Sequence, residues 1–123
     1  SHPDLRHQAK AQAVAIEVCL ISNQVLGLID DVRNHPLPLF FAENLPVVLS
    51  SDDPGFWGAD GVTYDWVLAF SITDESCGGL ATLKQLAINS IDHALLTPTE
   101  RDALFEAWRR RWDAFVAEMV LDR

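Results

Sequence analysis

Two short runs, "VAIEVCLI" over residues 14–21 and "LPVVLS" over residues 45–50, are apolar at successive positions and not only at alternate ones. A strand with one solvated face alternates between apolar and polar residues, whereas a strand covered on both faces does not. Between the runs lie "NQVLGLIDDVRNH", which reads as a loop with a short helical piece, and "HPLPLFFAEN", a short helix opened by proline. Doubly covered strands separated by helical segments are the signature of parallel strands joined by a crossover. The pattern therefore predicts parallel, neighbouring strands at about 14–21 and 46–50, with Cys19 and Val48 buried.

The rest of the chain reads as helix. "PDLRHQAKAQA" has good helix formers behind a proline suited to a first helical position. "TYDWVLAFSI", "GLATLKQLAINSIDHALL" and "TPTERDALFEAWRRRWDAFVAEMVLD" give three further helices. The last opens with a capping box, in which Thr97 and Glu100 satisfy each other's backbone amides and Pro98 sits where no amide partner is needed. Leu104, Trp108, Trp112, Phe115 and Met119 follow at spacings of three or four, which predicts a buried core stripe rather than a ligand cage.

Two parallel strands with helices on one side leave two open sheet edges and much uncovered apolar surface. The pattern is that of an incomplete α/β architecture. A (β/α)8 TIM barrel needs about 250 residues, so 123 residues supply its C-terminal part: the last two parallel strands plus the C-terminal helices. The whole chain, 1–123, is read as one segment of such a barrel.

Charge and composition narrow the partners. Eighteen acidic against nine basic residues give a formal charge of -9, which repels nucleic-acid phosphates and anionic membrane surfaces. No apolar run approaches the roughly 18 residues needed to span a bilayer. Arg109, Arg110 and Arg111 fall within an amphipathic helical pattern and read as a solvated face. Cys19 and Cys77 form no metal motif, and Cys19 reads as a small buried hydrophobe. The start, Ser1-His2-Pro3, looks like a cut or processed end.

The second strand runs into "SSDDP", residues 50–54. In a parallel barrel, residues just past the C-terminal end of a strand face the active site, and Asp52 and Asp53 occupy that place. Pro54 restricts Asp53 to extended backbone, which separates the two side chains in direction. On spacing alone, adjacent aspartates before Pro-Gly also make an ordinary turn, their side chains bonding nearby amides.

"IEVCLISNQVLGLIDDVRNHPLPLF", "LPVVLSSDDPGFWGADGVTYDW", "TLKQLAINSI" and "WRRRWDAFVAEM" together resemble, in order, the C-terminal portion of the secreted adenosine deaminases called adenosine deaminase-related growth factors. The resemblance runs from about Ile16 to Met119. It implies a zinc amidohydrolase on a (β/α)8 barrel that hydrolyses adenosine or deoxyadenosine to the inosine form and ammonia. It implies that Asp52 is the zinc-ligating aspartate that orients the attacking hydroxide, and that Asp53 hydrogen-bonds a purine ring nitrogen. The types suit those roles, because zinc takes carboxylate oxygen beside histidine nitrogen while keeping a position open for water.

The resemblance also says what is absent. The family's other ligands are three histidines, two of them in a His-x-His pair, and its catalytic acid is a glutamate closely following the third. His2, His7, His35 and His93 form no such pair, and those motifs lie upstream in the family. The segment is therefore expected to be inactive alone, with the upstream part of the same barrel as its partner. Leu20 stands where the family usually has proline, so the strand end and the loop carrying Ser22 and Asn23 are expected to differ. "ITDESCGG" at 72–79 departs from the family as well. Extracellular or lysosomal location and a homodimer follow from the resemblance only. A second function class stays open: a non-catalytic, growth-factor-like or interaction module that keeps "SSDDP" as a turn. An upstream His-x-His pair and a His-Ala-Gly-Glu-like stretch separate the two.

Overall fold

The structure is a computed structural model that describes residues 2–73 and 79–121. Most of "ITDESCGG", including Cys77, lies outside the described residues. The elements in order are α1 (Pro3–Ala11), β1 (Ile16–Val18), α2 (Leu20–Val25), a 3-10 turn at Val32–Asn34, α3 (Leu37–Ala42), β2 (Val47–Leu49), a second 3-10 turn at Pro54–Trp57, α4 (Thr63–Ile72), α5 (Leu80–Asp92) and α6 (Pro98–Leu121). They fall into two compact units, Ser1–Ser90 and Ile91–Arg123.

In the first unit the expected parallel pair forms, with Ile16 opposite Val47, Glu17 opposite Val48 and Val18 opposite Leu49. Flanking bonds lengthen the ladder: the Ile16 amide donates to the Pro46 carbonyl at 2.8 Å and the Ser50 amide to the Val18 carbonyl at 2.9 Å. Val18, Leu20, Leu37, Val47, Leu49, Ala69 and Leu86 make the core. This one face of the pair thus carries the apolar burial that stabilises the unit. The Asn89 side-chain amide, buried in α5, donates to the Val47 carbonyl at 2.9 Å and ties that helix to β2. Arg6 of α1 grips Glu43 through two bonds of 2.7 and 2.9 Å, a fork geometry that fixes orientation as well as charge.

The structure corrects the sequence reading at the end of the first strand and in the burial of Cys19 and Val48. The first strand ends at Val18, and "LIS" opens α2 instead of continuing a strand or a loop. Leu20, where the resemblance expects proline, is fully buried as the first residue of that helix. Cys19 and Val48 are half-buried, not buried. The pleat explains Val48: Val47 and Leu49 turn into the core, so the residue between them and its register partner Glu17 face the other way.

The second unit is dominated by α6. The capping box forms, the Thr97 amide donating to Glu100 Oε2 at 2.9 Å and the Glu100 amide reaching Thr97 Oγ1 at 3.4 Å. Arg109 pairs with Glu106, and Arg109, Arg110 and Arg111 are exposed as expected. The stripe is a different matter. No described residue of α6 is buried, and Leu104, Phe115 and Met119 are all exposed. What the helical spacing produces is a ladder along the helix surface, with ring centroids 5.6 Å apart for Phe105 and Trp108, 5.8 Å for Trp108 and Trp112, and 5.8 Å for Trp112 and Phe115. Among the described residues the stripe is therefore not a buried core: Trp108 and Trp112 are half-buried and the other three residues are exposed.

Candidate active site

β1 and β2 are parallel, so the segments following them emerge at the same end of the sheet. After β1 comes α2, carrying Ser22 and Asn23. After β2 come Ser50, Ser51, Asp52 and Asp53, then the Pro54–Trp57 turn. From the first of these segments the Ser22 hydroxyl donates to Asp52 Oδ2, on the second, at 2.8 Å. Ser22 is 1 % exposed, whereas Asp52 is exposed. A buried donor therefore holds one oxygen of a solvent-facing carboxylate, and Asp52 Oδ1 carries no hydrogen bond among the described residues.

The backbone at Asp52 is left-handed, with φ of 54°. Aspartate tolerates this conformation better than most residues, but it still costs energy and must be over-determined by its surroundings. Two bonds do so here. The Asp52 amide is held by the Ser50 hydroxyl at 3.2 Å, and the side chain is held by Ser22. Asp53 follows with φ of -107° and ψ of 69°, off the helical region but short of the extended backbone expected before a proline. It precedes the 3-10 turn, yet its side chain makes no cap bond to that turn. Its carbonyl accepts from the Phe56 amide at 3.0 Å instead. Neither carboxylate is engaged by the local amides that the ordinary-turn reading requires.

A second pair of contacts steadies α2. The Asn23 side-chain oxygen lies 3.0 Å from His35 Nε2, and the Leu37 amide donates to His35 Nδ1 at 3.0 Å. Because Nδ1 accepts, the proton sits on Nε2 and is donated to Asn23. His35 is 5 % exposed, and burial pushes its imidazolium pKa below the ordinary value, so the ring is neutral. Both ring nitrogens are occupied, which removes His35 as a metal ligand. His2, His7 and His93 are exposed.

Asp65 is the buried carboxylate of this region, with 0 % exposure. Its Oδ1 accepts from the Ile21 amide at 3.1 Å, and Oδ2 is buried without a hydrogen-bond partner among the described residues. Burial raises its pKa, and the Ile21 and Leu20 amides pull the other way. Cys19 sits at the same strand end. Its thiol pKa is raised by burial and by the carboxylates of Glu17, Asp52 and Asp65, with a hydrogen bond to Ser50 opposing.

Among the described residues no group of three His, Cys, Asp or Glu side chains is placed to hold a metal ion. One element of such a site does fit: a carboxylate with one oxygen immobilised and the other free. Of the residues singled out in the sequence, the structure joins Asp52 to Ser22 and leaves Asp53 exposed beside it. Asp65 was not legible as a site residue, although a single acid inside the apolar stretch "TYDWVLAFSI" was a signal. No helix among the described residues is long and apolar enough to cross a membrane.

Residues 2–109 match the family model described as adenosine deaminase. The chain is 44 % identical over 119 residues to adenosine deaminase 2 of Homo sapiens, covering 97 % of this chain and 23 % of that protein. It is 46 % identical over 119 residues to adenosine deaminase 2 of Sus scrofa, with the same coverage. It is 43 % identical over 116 residues to an adenosine deaminase of Lutzomyia longipalpis, covering 94 % and 23 %. The chain thus spans about a quarter of the length of the curated relatives it matches. The crystal structure of an adenine deaminase from Arthrobacter aurescens superposes with a TM-score of 0.74 at 28 % identity, over 89 % of this chain and 33 % of that one. The α/β arrangement of two parallel strands and their helices is accordingly the C-terminal part of a (β/α)8 barrel, and the chain belongs to the adenosine deaminase family, of the adenosine deaminase 2 type.

Proposed function

We propose that this chain is part of the catalytic barrel of a zinc-dependent adenosine deaminase, which hydrolyses adenosine or deoxyadenosine to the inosine form and ammonia. The observation that carries this reading is that the side-chain carboxylates of Asp52 and Asp53 accept from no backbone amide of the turn that contains them. Both carboxylates stay available to partners outside the chain segment, at the strand end where barrel enzymes place their chemistry.

Zinc, when bound, supplies the Lewis acidity that makes water nucleophilic near neutral pH. Asp52 offers the free oxygen Oδ1 as an anionic ligand, while Ser22 fixes Oδ2 and with it the plane of the carboxylate. Asp53 hydrogen-bonds a purine ring nitrogen and so sets the ring's orientation toward the attacking water. Orientation of this kind carries a large share of the barrier reduction in hydrolytic sites. The remaining ligands and the catalytic acid come from the upstream part of the same barrel, and the isolated segment is inactive. Secretion and dimer formation belong to the same proposal and rest on the resemblance to secreted deaminases.

The test uses the full-length protein. Zinc content and adenosine hydrolysis are measured for Asp52→Asn and Asp53→Ala: the first is expected to lose metal and turnover, the second to keep metal and lose nucleoside affinity. An Asp52→Asn protein with native zinc and native turnover defeats the reading.

A further inference from the structure

We propose that Asp65 is a positioning residue for the metal-facing carboxylate: by capping the first turn of α2 it holds Ser22 where the serine hydroxyl fixes Asp52. The proposal rests on the reading of Asp52 as a zinc ligand given above.

The need for such a residue follows from the helix. α2 has six residues, too few to be stable through its own hydrogen bonds. Its first turn presents amides with no partner inside the helix. The usual remedy is a side-chain oxygen at the residue before the helix, but Cys19 stands there and makes no cap bond. Asp65 supplies the missing acceptor from α4, more than forty positions away, with Oδ1 at 3.1 Å from the Ile21 amide. The positive end of the helix also favours a carboxylate there.

Ile21 and Ser22 are adjacent, so fixing the Ile21 amide fixes the origin of the Ser22 side chain. Ser22 in turn reaches Asp52 at 2.8 Å. The chain of contacts is continuous: Asp65 to Ile21, Ile21 to Ser22 by one peptide, Ser22 to Asp52.

Packing alone does not call for an acid at position 65. The residue is fully buried, Oδ2 has no partner, and it makes no ion pair among the described residues. Burying a carboxylate on those terms is unfavourable. An apolar residue would suit the site better were the amides of α2 not there. A local rule broken in this way, one contact away from a candidate ligand, points to positioning.

The experiment is a double-substitution cycle in the full-length chain, with zinc affinity read by competition against a chromophoric chelator and with kcat and KM for adenosine measured alongside. Ser22→Ala is the reference, expected to weaken zinc roughly 10- to 100-fold as loss of an outer contact to a ligand does. Asp65→Ala is expected to weaken zinc by about 10-fold and to lower kcat with little change in KM. In the Ser22→Ala background the same change should add almost nothing, because the two act through one path. Asp65→Asn keeps the oxygen that accepts from Ile21 and should restore most of the loss. Should Asp65→Ala fail to fold, Asp65→Glu takes its place: its longer arm moves the acceptor, and it should weaken zinc to a similar degree. Unchanged zinc affinity in the folded variant, or an equal loss with and without Ser22, overturns the proposal. If Asp52→Asn itself keeps zinc, the reading of the ligand has failed; if Asp52→Asn loses zinc and the Asp65 variants do not, only the present inference has.

Discussion

Ser22 and Asp52, thirty positions apart, are joined by a 2.8 Å hydrogen bond between a buried hydroxyl and an exposed carboxylate. The bond links the segments that follow the two parallel strands, and it leaves one oxygen of Asp52 available. In the full-length protein, Ser22→Ala is expected to lower zinc affinity roughly 10- to 100-fold without unfolding the barrel. Chelator competition measures this, and an unchanged affinity would remove the serine from the site.

Asp53 is a different kind of residue, exposed and with a side chain that makes no bond to its turn. Asp53→Ala is expected to leave zinc content near native, raise KM for adenosine, and lower kcat by up to about a hundredfold through misplacement of the ring. Metal analysis and steady-state kinetics on one preparation separate this from loss of metal. Zinc loss in Asp53→Ala would mean that the roles of the two aspartates have been exchanged.

His35 makes stability depend on pH with a definite sign. Its folded pKa is lowered by burial from an unfolded value of about 6.5. On acidification the unfolded chain therefore binds the proton first, and stability is lost as pH falls from about 6.5 toward the folded value. Above about pH 7 both states are neutral and the histidine contributes no slope. His35→Gln removes the titration, so the stability difference between native and variant proteins should narrow between pH 7 and pH 5.5, values chosen to bracket the unfolded pKa of about 6.5. Denaturant unfolding at several pH values measures it, and a constant or widening difference contradicts the assignment.

The Thr97 and Glu100 capping box is solvent-exposed and lies away from the candidate site in sequence. Thr97→Ala should destabilise α6 by about 1 kcal/mol with zinc content unchanged. Chemical denaturation followed by circular dichroism reads the first, metal analysis the second, and a loss of zinc would tie this helix to the site.

The parallel pair, the helices and the position of Asp52 and Asp53 past a strand end were legible because local pattern alone determines them. Doubly apolar runs, a proline at a helix start and a capping box each act within a few residues. The boundary at Cys19 was not legible. "VCLI" is apolar throughout, and the contact that Asp65 makes with the first turn of the helix comes from far along the chain. The same reason hid Ser22, whose role depends on a partner thirty positions on. Leu104, Phe115 and Met119 show the opposite failure: their spacing located one helix face, but spacing says nothing about how fully that face is covered.

The central claim, that Asp52 is the metal-facing carboxylate of a deaminase, meets its most direct test in one substitution. Full-length Asp52→Asn keeps the size of the side chain and an oxygen for Ser22, but loses the anionic ligand. The account predicts a folded protein with little bound zinc and adenosine turnover reduced by orders of magnitude. A folded Asp52→Asn protein that retains stoichiometric zinc and native turnover would contradict it, and would return "SSDDP" to the status of a turn.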